Sequence, residues 1–201
     1  VCTPSRYTLL TGRYHWRSKL QRGIVGLWKG PLITPERLTI AGLAKRKGYT
    51  TACIGKWHLG WNWPIKEEHM KYFKSGGYRG KKDLQATEAH RAAWRETFSK
   101  PITGGPTAVG FDEYFGTDVP NWPPFCFIES DRTVGIPSEY ADIALFGGKE
   151  AIEKGWKANL ASQQGPALEG WTLEPILPAL RDRAVAFIRR EAQTPEPFLL
   201  Y

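Results

Sequence analysis

Val1-Cys2-Thr3-Pro4-Ser5-Arg6-Tyr7-Thr8-Leu9-Leu10-Thr11-Gly12 reads as a short helix with a cysteine at its amino end. Pro4 falls in the first turn, where the missing N–H of proline costs nothing. Gly12 sits where a helix of this length needs its C′ residue. The pattern predicts a helix from Pro4 to Thr11 with Cys2 at its N-terminus. Cys2 and Arg6 are four apart and share one face. Free N–H groups and the positive dipole end point at whatever Cys2 holds, which suits an anion. The residues alone leave two readings of Cys2 open, a buried structural thiol and a thiolate nucleophile acidified by the helix end. A Cys-x5-Arg phosphatase loop would need arginine at position 8, where Thr8 stands.

The next informative stretch lies further along the chain. Leu38 to Lys47 has helical spacing, with Ile40, Leu43 and Ala44 on one face, Thr39 as cap, Lys45-Arg46-Lys47 at the C-terminal end and Gly48 as stop. Tyr49-Thr50-Thr51-Ala52-Cys53-Ile54 reads as a strand. Helix, glycine and strand make an α/β unit. The strand runs into Gly55-Lys56-Trp57-His58-Leu59-Gly60. If the extended backbone persists, Lys56 and His58 share one face as polar tips and Trp57 takes the other.

These two stretches carry a family resemblance. Cys2-Thr3-Pro4-Ser5-Arg6, followed by Leu9-Leu10-Thr11-Gly12-Arg13, resembles the signature of the type I, formylglycine-dependent sulfatases, arylsulfatase-like members of the alkaline phosphatase superfamily. Gly48 to Gly60, which reads Gly-Tyr-x-Thr-x-x-x-Gly-Lys-Trp-His-Leu-Gly, resembles the second signature of the same family, in the same order. Gly110-Phe111-Asp112-Glu113-Tyr114-Phe115-Gly116 is similar to the segment after the catalytic strand. Asp118 to Asp131 resembles a segment many members use near the formylglycine, with Val119-Pro120-Asn121 where many relatives have Ser-Asn-Asp. The likeness is dense over 1–60 and looser after Gly110.

The resemblance implies an α/β fold, the alkaline-phosphatase-like sandwich with a mixed central sheet flanked by helices. It implies that Cys2 is the formylglycine precursor, Arg6 its orienting cation, Lys56 a sulfate-binding group and His58 a base or an orienting group. An aldehyde at Cys2 would hydrate to a diol, attack sulfur through one hydroxyl and release sulfate through the other. A plain cysteine has no second hydroxyl. The family also implies calcium, with modified Cys2 among its ligands and the paired aspartate and Asp-Asn ligands outside 1–201. The implied partners are a sulfated small molecule or sulfated glycan as substrate and a formylglycine-generating enzyme. The implied location is exported: periplasmic, extracellular or lysosome-like. Two alternatives stand beside this: a phosphonate or phosphate monoester hydrolase of the same superfamily, and a non-catalytic polyanion-binding protein with unmodified Cys2.

Composition bounds the rest. The 201 residues are 41% hydrophobic and 24% charged, enough for one sizeable core. Lys and Arg outnumber Asp and Glu by 28 to 20, which favours an anionic partner. No basic stretch interleaved with aromatics forms a nucleic-acid module, and no apolar run reaches the length of a membrane span. Cys53 and Cys126 lie in apolar runs and read as core thiols. The chain opens with Val1 on a motif and stops at Tyr201 in a β-like run. Residues 1–201 are therefore expected to be part of a catalytic domain, without its N-terminal metal-binding strand and its C-terminal half.

The remaining segments are read more simply. Residues 14–29 are expected as loop, with His15 near the site by position but an ordinary hydrogen-bonded histidine by type. Polar, glycine-spotted 61–105 is expected as a substrate-facing insertion, with Lys81-Lys82-Asp83 on its surface and Asp83 capping a helix that ends near Phe98. His69 and His90 read as surface histidines. Phe125 to Ile128 reads as a buried strand. Gly147 to Gly170 shows turns with some helix. Leu180, Ala184, Phe187 and Ile188 recur at helical spacing behind Pro178, and Phe198-Leu199-Leu200-Tyr201 begins a buried strand.

Overall fold

A computed structural model describes residues 2–74, 76–77, 84–142, 145 and 163–201. The first helix, α1, spans Cys2–Thr11, so it includes the cysteine rather than starting after it. Gly12 ends it in the left-handed region at φ 64°, with its N–H donating to Thr8 O at 2.9 Å, as a C′ glycine should. Helix α2 covers Ile40–Arg46, and the Thr39 side chain accepts from the Gly42 N–H as the N-cap. Strand β1 follows at Thr50–Lys56, two residues longer at its far end than expected.

Beyond β1, a two-residue strand β2 (Gly76–Gly77) precedes helix α3 (Glu88–Phe98). Thr87 caps α3 in a capping box with His90, whose backbone N–H and side chain both meet Thr87. Asp83, with Lys81 and Lys82, lies outside the described residues, as does most of the Gly147–Gly170 stretch. Strand β3 is Glu113–Thr117, followed by the short β4 (Ile128–Glu129), β5 (Arg132–Thr133) and β6 (Glu139–Tyr140). The expected strand over Phe125–Ile128 is thus mostly irregular. Phe125, Cys126 and Ile128 are buried there, but Phe125 makes only an isolated bridge to Ala167 and the pairing with β3 starts at Ile128. Strands β7 (Gln163–Gln164) and β8 (Pro166–Ala167), helix α4 (Ile176–Glu191) and strand β9 (Phe198–Leu200) complete the described elements.

Five strands form one mixed sheet in the order β5-β4-β3-β1-β9. The core is parallel, with Cys53 opposite Tyr114 and Thr51 opposite Leu199, and β4 and β5 add antiparallel pairs. Alternation puts Cys53, Tyr114 and Leu199 on one face, where they share a buried cluster with Tyr7 and Leu10 of α1 and Ala41 of α2. The other face carries Phe115 and Phe198. Helix α4 covers it, with Phe187 edge-on to Phe198 at 5.5 Å and Arg183 over the Phe115 ring at 4.4 Å. The sheet is therefore flanked by helices on both faces. Burial raises the pKa of the Cys53 and Cys126 thiols well above the ordinary range, which suits core thiols.

Two helical faces differ from the reading by periodicity. Helix α2 buries Ala41, while Ile40 and Leu43 are 42% and 47% exposed. In α4, Ile176 and Phe187 are buried and Ile188 faces outward. In each case a small or aromatic residue that fits close to the sheet takes the inward position, which apolar spacing alone does not show. Strand β9 is half-buried rather than buried, because it forms an edge of the sheet.

One close approach holds β1 to β3. Gly55 and Gly116 are register partners, and a Cβ on Gly116 would stand 1.8 Å from Gly55 O. Backbone cannot yield as a flexible side chain can. Gly116→Ala is expected to lower stability by about 3 kcal/mol. A urea midpoint equal to wild type in the full-length protein would contradict this packing.

Candidate active site

Lys56 ends β1 and is the register partner of Thr117, which ends β3. Open α/β sheets place their sites at such carboxyl ends. Helix α1 is fastened to this edge by two hydrogen bonds. Arg6 Nη1 donates to Lys56 O at 3.0 Å, and Thr3 Oγ1 donates to His58 O at 2.9 Å. Arg6 Nη1 also donates to the Tyr201 hydroxyl at 3.1 Å, which ties in the residue that follows β9. Cys2 is half-buried, and its thiol lies close enough to the Lys56 ammonium to act on its charge. The structure thus gathers Cys2, Arg6, Lys56 and His58 at one place.

The backbone reaches that place differently from the expectation. The strand stops at Lys56, and His58 sits in the left-handed region at φ 55°. This conformation costs a non-glycine residue about 1 kcal/mol or more and persists only when its surroundings hold it. Here they do. The His58 N–H donates to Asp118 Oδ1 at 3.0 Å, its carbonyl accepts from Thr3, and its Nε2–H donates to Val25 O at 2.9 Å. The Val25 N–H closes the ring by donating to Thr3 Oγ1 at 3.2 Å. His58 is therefore no polar tip. It is 2% exposed and packs edge-on against Trp122 at 5.2 Å. Replacing it would disturb the fold, a correction to the expectation of a solvated end. Trp57, expected on the opposite face from His58, is buried in the core as well and is 1% exposed.

The carbonyl of Val25 can only accept, so Nε2 carries the proton and Nδ1 keeps a lone pair. That Nδ1 is buried and has no hydrogen-bond partner among the described residues, and the same holds for Arg6 Nε and Thr117 Oγ1. Burial, with the Lys56 charge adding to it, lowers the His58 pKa to about 4. Burial also pulls Lys56 below its ordinary value, with Cys2 opposing. Asp118 rises to about 6 through burial, opposed by the hydrogen bonds it accepts from His58 and from Trp61 Nε1 at 3.2 Å. At neutral pH the site holds two cations, a neutral imidazole and a carboxylate. It remains positive, as an anion site requires.

Asp118, Thr3, Val25 and Tyr201 were not singled out from sequence. A usable signal existed for Asp118, which directly follows a strand parallel to the one bearing Lys56. The other expected histidines stay outside the site. His15 accepts from the Ser18 backbone N–H and hydroxyl through its own carbonyl, and its ring packs on Trp16. His90 belongs to the α3 cap, and His69 lies 3.7 Å from Glu96. Among the described residues, no group of three or more His, Cys, Asp or Glu side chains is placed to hold a metal ion. Calcium needs about six oxygen ligands, so the described residues do not by themselves fit the cation.

The His58 pKa has a measurable consequence. The unfolded chain takes up this proton near the ordinary histidine value of 6.5 and the folded chain only near 4. Between these values the unfolded state binds more protons, so the His58 contribution erodes folded stability as pH falls. The ring is expected to show the Nε2-protonated neutral tautomer in ¹⁵N spectra at neutral pH and to titrate at about 4. A midpoint at or above 6.5 would contradict the burial described here.

Comparison with known proteins places this geometry. The profile of a family described as Sulfatase matches residues 1–130, which include α1, β1, β3 and the whole cluster. Mouse steryl-sulfatase is 48% identical over 65 residues, covering 30% of this chain and 10% of that protein. Mouse arylsulfatase G is 28% identical over 215 aligned positions, covering 100% of this chain and 31% of its own length. The chain thus spans a third or less of these curated relatives. Among solved structures, a Bacteroides thetaiotaomicron protein from a study of glycosaminoglycan metabolism superposes with a TM-score of 0.62 at 22% identity. That match covers 100% of this chain and 40% of the other, and it supports the shared fold. With a family match over well more than half its length and the two signatures meeting at one sheet edge, this chain belongs to the sulfatase family.

Proposed function

We propose that the full protein is a sulfuric ester hydrolase and that Cys2, Arg6, Lys56 and His58 are its catalytic groups. One observation supports this most: Arg6 and Thr3 of α1 donate to the carbonyls of Lys56 and His58, which brings Cys2 at the N-terminus of that helix to the same strand end as Lys56 and His58. A thiol alone gives little reason for that arrangement. When Cys2 is converted to formylglycine, its hydrated aldehyde supplies an oxygen nucleophile and a second hydroxyl.

The chain's own groups then have distinct tasks. Lys56 binds a sulfate oxygen and offsets the negative charge that grows in the transition state. Arg6, pinned by Lys56 O and Tyr201, presents its unpaired Nε as a further donor at fixed position. His58 holds its proton on Nε2 and leaves Nδ1 to accept one. The remaining calcium ligands of this reading lie outside the described residues, and no step here depends on the cation.

The reading extends to partners. The substrate is a sulfated small molecule or glycan, and Cys2-x-Pro4-x-Arg6 is the sequence a formylglycine-generating enzyme would meet. Export is part of the same proposal. No helix among the described residues is long and apolar enough to cross a membrane. The described residues of 61–105 include an end-to-end pairing of Asn62 with Thr103 and a small aromatic core of Phe73, Trp94 and Phe98. We assign this segment to the substrate-facing rim.

Lys56→Ala is expected to lower kcat on an aryl sulfate by about 10²–10³-fold while cooperative unfolding is retained. Unchanged turnover would remove Lys56 from the mechanism. The wild-type protein should also turn over an aryl sulfate faster than the matching aryl phosphonate or phosphate. The reverse order would favour the phosphonate or phosphate monoester reading.

A further inference from the structure

The carboxylate of Asp118 has no task in the chemistry above, yet it is the acid whose charge acts on Lys56 among the described residues. It directly follows β3, and a single oxygen, Oδ1, accepts from both the His58 N–H at 3.0 Å and Trp61 Nε1 at 3.2 Å. Trp61 is itself anchored. It is buried, and its backbone N–H donates to Lys29 O at 3.1 Å. The carboxylate therefore sits on a rigid support. Its contact with His58 is to the backbone amide, whereas the ring is held by Val25.

His58 is one of three described non-glycine residues with positive φ. Without a partner for its N–H, the peptide between Trp57 and His58 would be free to turn back toward the extended form. In that form His58 would leave the position that its carbonyl bond to Thr3 and its ring bond to Val25 define. Both lone pairs of Oδ1 are engaged, and the bonds go to donors of the fold rather than to the cationic cluster.

We infer that Asp118 is a positioning residue, which fixes His58 in its left-handed turn through the amide N–H and so sets the imidazole beside Lys56 and Arg6. The inference rests on the sulfatase reading only in treating His58 as a working group. Its hydrogen bonds go to the His58 amide and Trp61 rather than to Lys56 or Arg6, so the loss of positioning belongs in kcat, whereas the loss of its charge beside Lys56 is common to any neutral substitution.

The test uses the full-length, formylglycine-bearing protein with an aryl sulfate, comparing wild type, Asp118→Ala and Asp118→Asn. Alanine removes the acceptor, and kcat should fall by roughly 30-fold with KM within about threefold, the scale of a misplaced catalytic group. Asparagine keeps an oxygen for both donors, and kcat should return to within about fivefold of wild type. In ¹H–¹⁵N spectra the His58 amide proton should move upfield in the alanine variant and stay near its wild-type shift in the asparagine variant. Wild-type kcat or an unmoved amide in folded Asp118→Ala would overturn the inference. So would a folded Asp118→Asn as impaired as alanine. If the alanine variant does not fold, asparagine decides, with recovery supporting the inference and a large loss overturning it. Absence of sulfate release from the wild-type protein would instead reject the sulfatase reading, and the amide shifts would still test the positioning.

Discussion

Arg6 and Thr3, three residues apart on the first helix, donate to the backbone carbonyls of Lys56 and His58 across 50 and 55 residues of chain. These two bonds set where Cys2 stands relative to the sheet. Each is of ordinary strength, about 1 kcal/mol for the neutral donor and somewhat more for the charged one. Their value lies in geometry. They aim the N-terminus of a helix at the carboxyl ends of two parallel strands, so that a dipole end, a lysine and a histidine converge. Without them α1 would still bury Tyr7 and Leu10, but burial alone leaves the helix free to slide.

The cluster also shows what a reactive site costs its fold. Among the described residues, His58 is buried, uncharged, backbone-strained and short of one hydrogen-bond partner, and Arg6 and Thr117 also carry buried atoms without a partner. A buried polar atom left unpaired costs roughly 1–3 kcal/mol. The surrounding core offsets this. Trp57 and Trp61 lie directly beside the site and are buried, and an aromatic side chain that buries about 200 Å² contributes on the order of 5 kcal/mol as an upper bound. The aromatic density of the GKWHLG stretch and its surroundings thus has a physical use. It steadies a polar cluster that would not hold itself together.

Much of this was legible from sequence because it is written in short-range terms. Pro4 and Gly12 punctuate α1, Thr39 and Gly48 bound α2, and the two glycine-flanked motifs carry Cys2, Arg6, Lys56 and His58. What was not legible depends on register in space. That Asp118 reaches the His58 amide follows from the parallel pairing of β1 with β3, which no local pattern encodes. The Thr3–His58–Val25 ring requires a loop residue whose side chain plays no part in it. Extended geometry predicted a solvated His58, whereas a single positive φ places it inside. The buried face of α2 was misread, and in α4 Ile188 of the expected stripe is exposed beside buried Phe187, because apolar spacing marks a stripe without saying which side meets the sheet.

The central claim is that Cys2 serves as a modified nucleophile and not as a thiol. It is tested most directly by mass spectrometry of the Cys2 peptide from catalytically active full-length protein, with hydrazide capture to mark an aldehyde. The account predicts that the active fraction carries formylglycine at Cys2 and that sulfate-ester turnover scales with that fraction. Turnover by protein whose Cys2 is wholly unmodified would contradict it.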